Sequence, residues 1–171
     1  MVEEPASRVS LKRKTISIFS LGLLLMVVLE VMINWLSGDW GRIQPGWTTQ
    51  ILGAGLTFTG IVLIIWSVIS QYKHGNGTPV PKVATQKLVT RGPYSYTRNP
   101  MTLGALFFYS GTAIWLSSGL LIMLCVIIFS LLLAFIHKHE TRELAQRFGK
   151  EYLDYCSSTP FLFPNFRRKT E

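Results

Sequence analysis

Side chains that could do chemistry are concentrated in two short segments of the chain. The first segment, 91–101, reads RGPYSYTRNPM and combines two arginines, two prolines and two tyrosines. In the second, Glu140 follows a long apolar run, with His137 and His139 close by. An arginine binds anions, a carboxylate binds cations, and a histidine exchanges a proton near neutral pH. A plain connecting loop needs none of these groups, so the two segments are candidates for a binding or catalytic site.

Each of these groups also has a purely structural interpretation. Arg98 and the prolines can cap the helix that follows them and bind lipid phosphates, and the histidines can flank a membrane span. Glu140 becomes informative only through a cationic partner, which is either Arg98 or a bound ligand. His137 and His139 are two residues apart and lie on different faces of a helix, so we expect no metal site.

The elements that must position these groups are predicted to be membrane helices. Of the 171 residues, 49% are hydrophobic and only 15% are charged, whereas a soluble domain has about 25% charged residues. A spanning helix needs about 20 apolar residues. The runs 15–37 and 47–70 qualify easily, whereas the runs 101–117 and 119–137 are shorter. Ser117 and Ser118 separate the last two runs, which read as a tight hairpin. We therefore predict an all-α integral membrane protein, a single membrane domain over 1–171 with about four transmembrane helices.

The positive charges fall almost entirely on one side of this predicted bundle. Of the 17 Lys and Arg residues, only Arg42 lies between the first and second runs, and none lies between the third and fourth. Both termini, with the segments 71–100 and 138–171, are therefore predicted to be cytoplasmic. The net charge of +8 then belongs to juxtamembrane residues, so we expect the membrane and not a nucleic acid as partner. The first run is too long for a signal peptide and should be retained, and its only charge, Glu30, is expected to have a hydrogen-bonded packing role.

A further helix is predicted after the last apolar run, within 137–155. Charged residues alternate there with four large side chains at helical spacing: Leu144, Phe148, Tyr152 and Tyr155. Such an amphipathic helix lies on the membrane surface or packs under the loop 71–100, and Gly149 interrupts it. The loop and this helix are the cytoplasmic elements expected to carry chemistry.

The same segments resemble a known family. KLVTRGPYSYTRNPM, followed further along by ETRELAQRFGKEYLDY and FLFP, is similar to the isoprenylcysteine carboxyl methyltransferases and to the related phospholipid methyltransferases. The similarity covers about the second half of the chain, from Gly75 to Pro164. It implies an integral membrane enzyme whose S-adenosylmethionine (SAM) lies in a cytoplasmic pocket between the loop and the helix after the last span.

The resemblance also implies which residues contact the cofactor. Glu140 would face the cationic amino-acid end of SAM, and the other contacts are Gln86, Lys87, Leu88, Val89, Tyr94, Asn99, Pro100, Met101 and Thr102. We take Arg98 and His137 as the candidate catalytic residues. His137 is a possible base, because an amine or thiol acceptor must lose a proton, whereas a carboxylate acceptor needs no base.

Three positions depart from the family pattern. Thr102 stands where a tyrosine is usual, and Thr141 replaces the second glutamate of a pair. Ile136 replaces an arginine that faces the substrate carboxylate in prenylcysteine methyltransferases. A prenylcysteine would lose a charge-assisted contact worth about 1.5–3 kcal/mol there, so we expect a different acceptor.

The predicted function is SAM-dependent methylation of a lipidic or small hydrophobic acceptor at the membrane, with S-adenosylhomocysteine as product. Two alternatives remain at the level of the sequence. One is a membrane reductase of the related sterol-reductase type, and the other is a non-catalytic membrane protein that keeps the fold. Binding of SAM, of a nicotinamide cofactor or of neither separates the three.

Overall fold

The described part of the protein is built from α-helices. The structure is a computed structural model that describes residues 24–38, 40–75 and 87–164, without the side chains of residues 139 and 140. The helices are α1 (Leu24–Ser37), α2 (Trp47–His74), a short 3-10 helix (Gly92–Ser95), α3 (Pro100–Trp115), α4 (Gly119–Phe148) and α5 (Lys150–Ser158). These ranges contain no strand, which confirms the all-α prediction.

Two of these helices, α2 and α4, are long and apolar enough to cross a membrane. They have 28 and 30 residues, or about 42 and 45 Å at the rise of an α-helix, against a hydrocarbon core of about 30 Å. Helix α3 has 16 residues and is shorter than a standard span. The beginning of the first predicted span, 15–23, lies outside the described residues. The four predicted spans therefore stay a prediction, with α2 and α4 as candidate membrane-spanning helices.

Helices α2 and α3 pack closely because glycines face each other across their antiparallel interface. A Cβ atom on Gly60 would lie 2.6 Å from the carbonyl oxygen of Gly104, and one on Gly53 would lie 2.8 Å from that of Gly111. Small residues at such positions let helix backbones approach, which is a main source of helix association in lipid. This interface fixes α3, and with it the loop that leads into α3.

The hairpin between α3 and α4 breaks where the sequence predicts it. Ser117 adopts a left-handed conformation with φ of 53°, and Ser118 caps α4 by accepting a hydrogen bond from the backbone N–H of Leu121. The turn is tied to the α1–α2 connection, because the N–H of Ile43 donates to the carbonyl of Ser117 at 2.8 Å. The α1–α2 and α3–α4 connections therefore lie together at one end of the bundle.

At the other end, α4 continues beyond the apolar run without interruption as far as Phe148. The predicted amphipathic helix is therefore not a separate element, because its first half extends the last apolar helix. Gly149 then turns the chain with φ of 55°, a value that glycine adopts without strain, and α5 begins. The predicted interruption at Gly149 is confirmed.

Large apolar side chains cover the outer surface of the long helices. Phe58, Val126 and Leu131 are 68%, 61% and 67% exposed. Apolar surface on this scale would be a liability in water, whereas hydrocarbon covers it at no cost. The exposed faces of α2 and α4 therefore favour a bilayer as their surroundings.

The glycine interface gives a stability prediction with a matched control on the same helix. We expect Gly60→Ala to lower the free energy of unfolding by about 1–3 kcal/mol, because the new methyl group would lie against the backbone of Gly104 and Phe108. Gly55→Ala adds the same methyl group where no atom lies within 4 Å, so it should leave stability unchanged or raise it. Thermal unfolding in detergent tests both, and equal stabilities would contradict this account of the packing.

Candidate functional site

The loop before α3 is held against the end of α2. Gly92 has φ of +67°, and a Cβ atom there would lie 2.6 Å from the hydroxyl oxygen of Ser70 on α2. Only a glycine allows this approach without strain. Pro93 is the second residue of the short 3-10 helix and is fully buried. The sequence Gly-Pro thus places the next residue, Tyr94, beside the last turns of α2.

Tyr94 connects three elements of the site. Its hydroxyl accepts a 2.6 Å hydrogen bond from Nε2 of Gln71, in the last turn of α2. Its backbone carbonyl accepts a 2.6 Å bond from the hydroxyl of Tyr155 on α5. Burial raises the pKa of the Tyr155 phenol, and the nearby Tyr94 raises it further, although Arg98 partly offsets this. Tyr155 therefore keeps its proton and remains the donor.

The segment after α5 holds the rest of the loop. The backbone N–H of Arg98 donates to the carbonyl of Pro160 at 2.9 Å. The carbonyl of Phe161 accepts hydrogen bonds from Oγ1 of Thr97 at 3.2 Å and from Nδ2 of Asn99 at 3.1 Å. Three successive loop residues are thus bound to two successive residues of the C-terminal segment, which fixes the start of α3 relative to α5.

The Arg98 side chain lies between this segment and a cavity. One guanidinium nitrogen, Nη1, donates to Sγ of Cys156 at 2.7 Å, and the guanidinium lies over the Phe161 ring at 5.7 Å. Its Nε is buried without a hydrogen-bond partner. An unsatisfied buried donor costs about 1–3 kcal/mol. An anionic group that accepts a hydrogen bond from Nε would remove this cost, so Arg98 is suited to bind one.

The cavity itself, which we call the loop cavity, has a volume of about 90 Å³. The loop, the end of α2, α4, α5 and the C-terminal segment all contribute to its wall. The lining residues are Gln71, Leu88, Val89, Tyr94, Arg98, Asn99, Ile136, Thr141, Leu144, Phe148, Tyr152, Tyr155 and Phe161. Among the described residues, Arg98 is the one charged side chain in this lining. The amphipathic helix therefore packs under the loop, which is one of the two arrangements expected from the sequence.

The structure brings together some of the predicted site residues but not all. Leu88, Val89, Tyr94, Arg98 and Asn99 line the loop cavity. The others lie elsewhere. Lys87 lines a neighbouring basic groove, Pro100 is buried at the start of α3, Met101 and Thr102 line a different cavity, and His137 is exposed with its ring edge against Phe161.

Two of the predicted cofactor contacts have side chains outside the part of the chain that the structure describes. Gln86 lies outside the described residues, as does the side chain of Glu140. The backbone of position 140 belongs to α4, four residues after Ile136 and four before Leu144. Both of those residues line the loop cavity.

Three site residues were not found from the sequence. They are Gln71, which bonds Tyr94, Cys156, which bonds Arg98, and Phe161, which lines the loop cavity. Polar and aromatic residues at the ends of apolar segments give no local signal for a shared cavity. Within the described ranges, His, Cys, Asp and Glu form no group of three that could hold a metal ion.

The described helices combine an apolar outer surface with a cavity of mixed polar and apolar lining at one end of the bundle. The sequence profile of the phospholipid methyltransferase family matches residues 48–151, well over half of the chain. The chain therefore belongs to the phospholipid methyltransferase family, and this membership indicates a membrane methyltransferase. A comparison with curated proteins gave no match.

The hydrogen bond between Tyr155 and Tyr94 gives a second stability prediction. Tyr155→Phe leaves the buried Tyr94 carbonyl without this donor, so we expect a loss of about 1–3 kcal/mol in the free energy of unfolding. Ser157→Ala is the control, because it removes an exposed 2.7 Å bond to Asp154 on the same helix and should cost much less. Thermal unfolding of both variants tests this, and a neutral Tyr155→Phe would contradict the role of the bond.

Proposed function

We propose that the protein is a SAM-dependent methyltransferase that holds its cofactor in the loop cavity and methylates a lipidic or small hydrophobic acceptor. The observation that carries the proposal is the convergence of Leu88, Val89, Tyr94 and Asn99 on one cavity. The family resemblance assigns these four residues to the cofactor from a linear motif alone. Their common location in space is an independent property of the fold.

The chemistry of the lining suits the cofactor. Arg98 and the amide of Gln71 each have a buried polar atom without a partner, Nε and Oε1. A guanidinium binds a carboxylate well, and the amide oxygen can accept from an ammonium or a hydroxyl group. The aromatic side chains of Phe148, Tyr152 and Phe161 offer surfaces on which an adenine ring can stack.

The volume of the loop cavity sets a condition for cofactor binding. Pockets for small ligands usually have volumes of about 300–1,000 Å³, and the loop cavity has about 90 Å³. The proposal therefore requires the side chains that line the loop cavity to rearrange and enlarge it when the cofactor binds.

SAM supplies a methyl group that is already activated by its sulfonium, so the protein mainly has to align the acceptor with it. Arg98 would hold the carboxylate of the cofactor. Glu140, by the resemblance, would hold its ammonium. An amine or thiol acceptor must also lose a proton, and His137 next to Phe161 is the candidate base.

The Glu140 assignment predicts a selective loss of ligand affinity. We expect Glu140→Gln to weaken S-adenosylhomocysteine binding by at least about tenfold, since a charge-assisted hydrogen bond is worth roughly 1.5–3 kcal/mol. Glu143→Gln is the matched control, because Glu143 is exposed and pairs with Arg147 only at 3.9 Å. Isothermal titration calorimetry measures both, and equal effects would place the cofactor elsewhere.

The side chain at position 136 predicts the class of acceptor. Ile136 gives the loop cavity an apolar wall, and a free carboxylate placed there would lose hydration without gaining a partner. We therefore expect the wild-type protein to transfer labelled methyl groups to hydrophobic amines, thiols or phenols. A farnesylated cysteine with a free carboxylate should be a poor acceptor.

The two acceptor classes can be compared side by side with labelled SAM, in wild type and in Ile136→Arg. Efficient methylation of the prenylcysteine by the wild type would show that another residue, such as Arg98, binds the carboxylate. It would refute the interpretation of position 136 without refuting methyl transfer itself.

A further inference from the structure

A second cavity, which we call the bilayer groove, lies between α1, α3 and α4. Its volume is about 380 Å³, and its lining is mostly aliphatic and aromatic. Met26, Leu29, Ile128 and Leu132 line it and are themselves 39–57% exposed on the outer surface of the helices. The bilayer groove is therefore open to the hydrocarbon that would surround these helices, and an apolar molecule could enter it sideways.

One ionisable carboxylate lies in this apolar groove. Glu30 of α1 is only 8% exposed, and its Oε2 accepts a 2.5 Å hydrogen bond from the hydroxyl of Thr112 on α3. Among the described residues, Thr112 is the one side chain that hydrogen-bonds Glu30. The same hydroxyl lies 3.0 Å from the carbonyl oxygen of Tyr109. Its single proton is therefore shared between Glu30 and that carbonyl.

A packing role does not account for the charge. A carboxyl group in the hydrocarbon region costs about 2.5–3.5 kcal/mol on insertion scales, and such residues usually mark a ligand or ion pathway. A neutral glutamine would bind Thr112 at lower cost. A carboxylate can accept several hydrogen bonds, and the ion pair present in the described ranges, Glu143–Arg147, lies elsewhere. Glu30 therefore has the capacity to bind a cation that the described chain does not supply.

The position of Glu30 separates it from the methyl-transfer site. Thr112 is near the end of α3, whereas Asn99, which lines the loop cavity, precedes the first residue of that helix. The distance along the helix is about 20 Å at the α-helical rise. Between them, Met101 and Thr102 line the end of the bilayer groove nearest to the loop cavity. A group bound at Glu30 is thus not the group that receives the methyl.

We propose that the bilayer groove binds a hydrophobic amine, with its ammonium on Glu30 and its hydrocarbon chain along α3 towards Met101. Charge complementarity selects the amine, because an apolar groove with one buried carboxylate favours a ligand that is apolar except for one cation. The groove accepts the chain from the surrounding hydrocarbon. The proposal does not depend on the methyltransferase activity.

Long-chain probes of equal length test the proposal. Hexadecylamine and hexadecanol are titrated against the full-length protein in detergent, and the bound species are counted by native mass spectrometry. The wild type should bind the amine at least about tenfold more tightly than the alcohol, as expected for a charge-assisted contact. Glu30→Gln should lose this preference and keep its affinity for the alcohol, since glutamine can still accept from Thr112.

Thr112→Val is the matched variant, because it removes the same hydrogen bond and leaves the carboxylate in place. It should retain the preference for the amine. Gel filtration and thermal unfolding confirm that each variant is folded, and Glu30→Asp, which keeps the charge, should preserve part of the preference if Glu30→Gln is not folded.

Three results would overturn the proposal. Equal binding of the amine and the alcohol by the wild type would assign the groove to a lipid chain and Glu30 to packing alone. Loss of the amine preference in both Glu30→Gln and Thr112→Val would show that packing, not charge, controls binding. Binding of neither probe would show that the groove does not take up a single-chain hydrophobic amine.

Discussion

The buried hydrogen bond from the Tyr155 hydroxyl to the Tyr94 carbonyl holds the candidate site together. In its described part, 87–99, the loop before α3 has one short 3-10 helix of its own, so the contacts of these residues with other elements set their conformation. On one side it is fixed by the end of α2, and on the other by α5 and the segment that follows. If α5 and the segment after it were released, the loop would lose the bonds at Tyr94, Arg98 and Asn99 together.

The bilayer imposes the second constraint. Backbone groups in hydrocarbon must be satisfied within the chain, so the membrane part consists of helices and the irregular loop lies at their end. The glycine interface of α2 and α3 then sets where the loop begins and ends. The loop cavity at one end of α3 and the carboxylate of Glu30 near its other end are thus positioned by the same helix packing.

The sequence predicted the features that depend on local chemistry. The apolar runs predicted helices. Ser117 and Ser118 predicted the break between α3 and α4, and Gly149 predicted the break before α5. Leu88, Val89, Tyr94 and Asn99, which the resemblance assigns to the cofactor, line one cavity with the later amphipathic helix, and their binding of the cofactor stays a prediction. The helices and the breaks between them can be predicted because helix propensity acts over a few residues.

The sequence could not predict which of the two cavities each residue around the start of α3 would line. Asn99 lies on the loop cavity and Met101 on the bilayer groove, although a single motif contains both. Only the packing of α3 against α2 and α4 decides between the two cavities. Contacts such as Arg98 with Cys156 and Asn99 with the Phe161 carbonyl join residues about sixty positions apart, and no local pattern marks them.

Hydrogen–deuterium exchange of the full-length protein, with and without S-adenosylhomocysteine, tests the central claim most directly. If the loop cavity is the cofactor site, the ligand should slow amide exchange in two separate segments, 88–99 and 150–162, and leave the Glu30 region of α1 unchanged. Protection confined to other segments, or no protection at a saturating ligand concentration, would contradict the account.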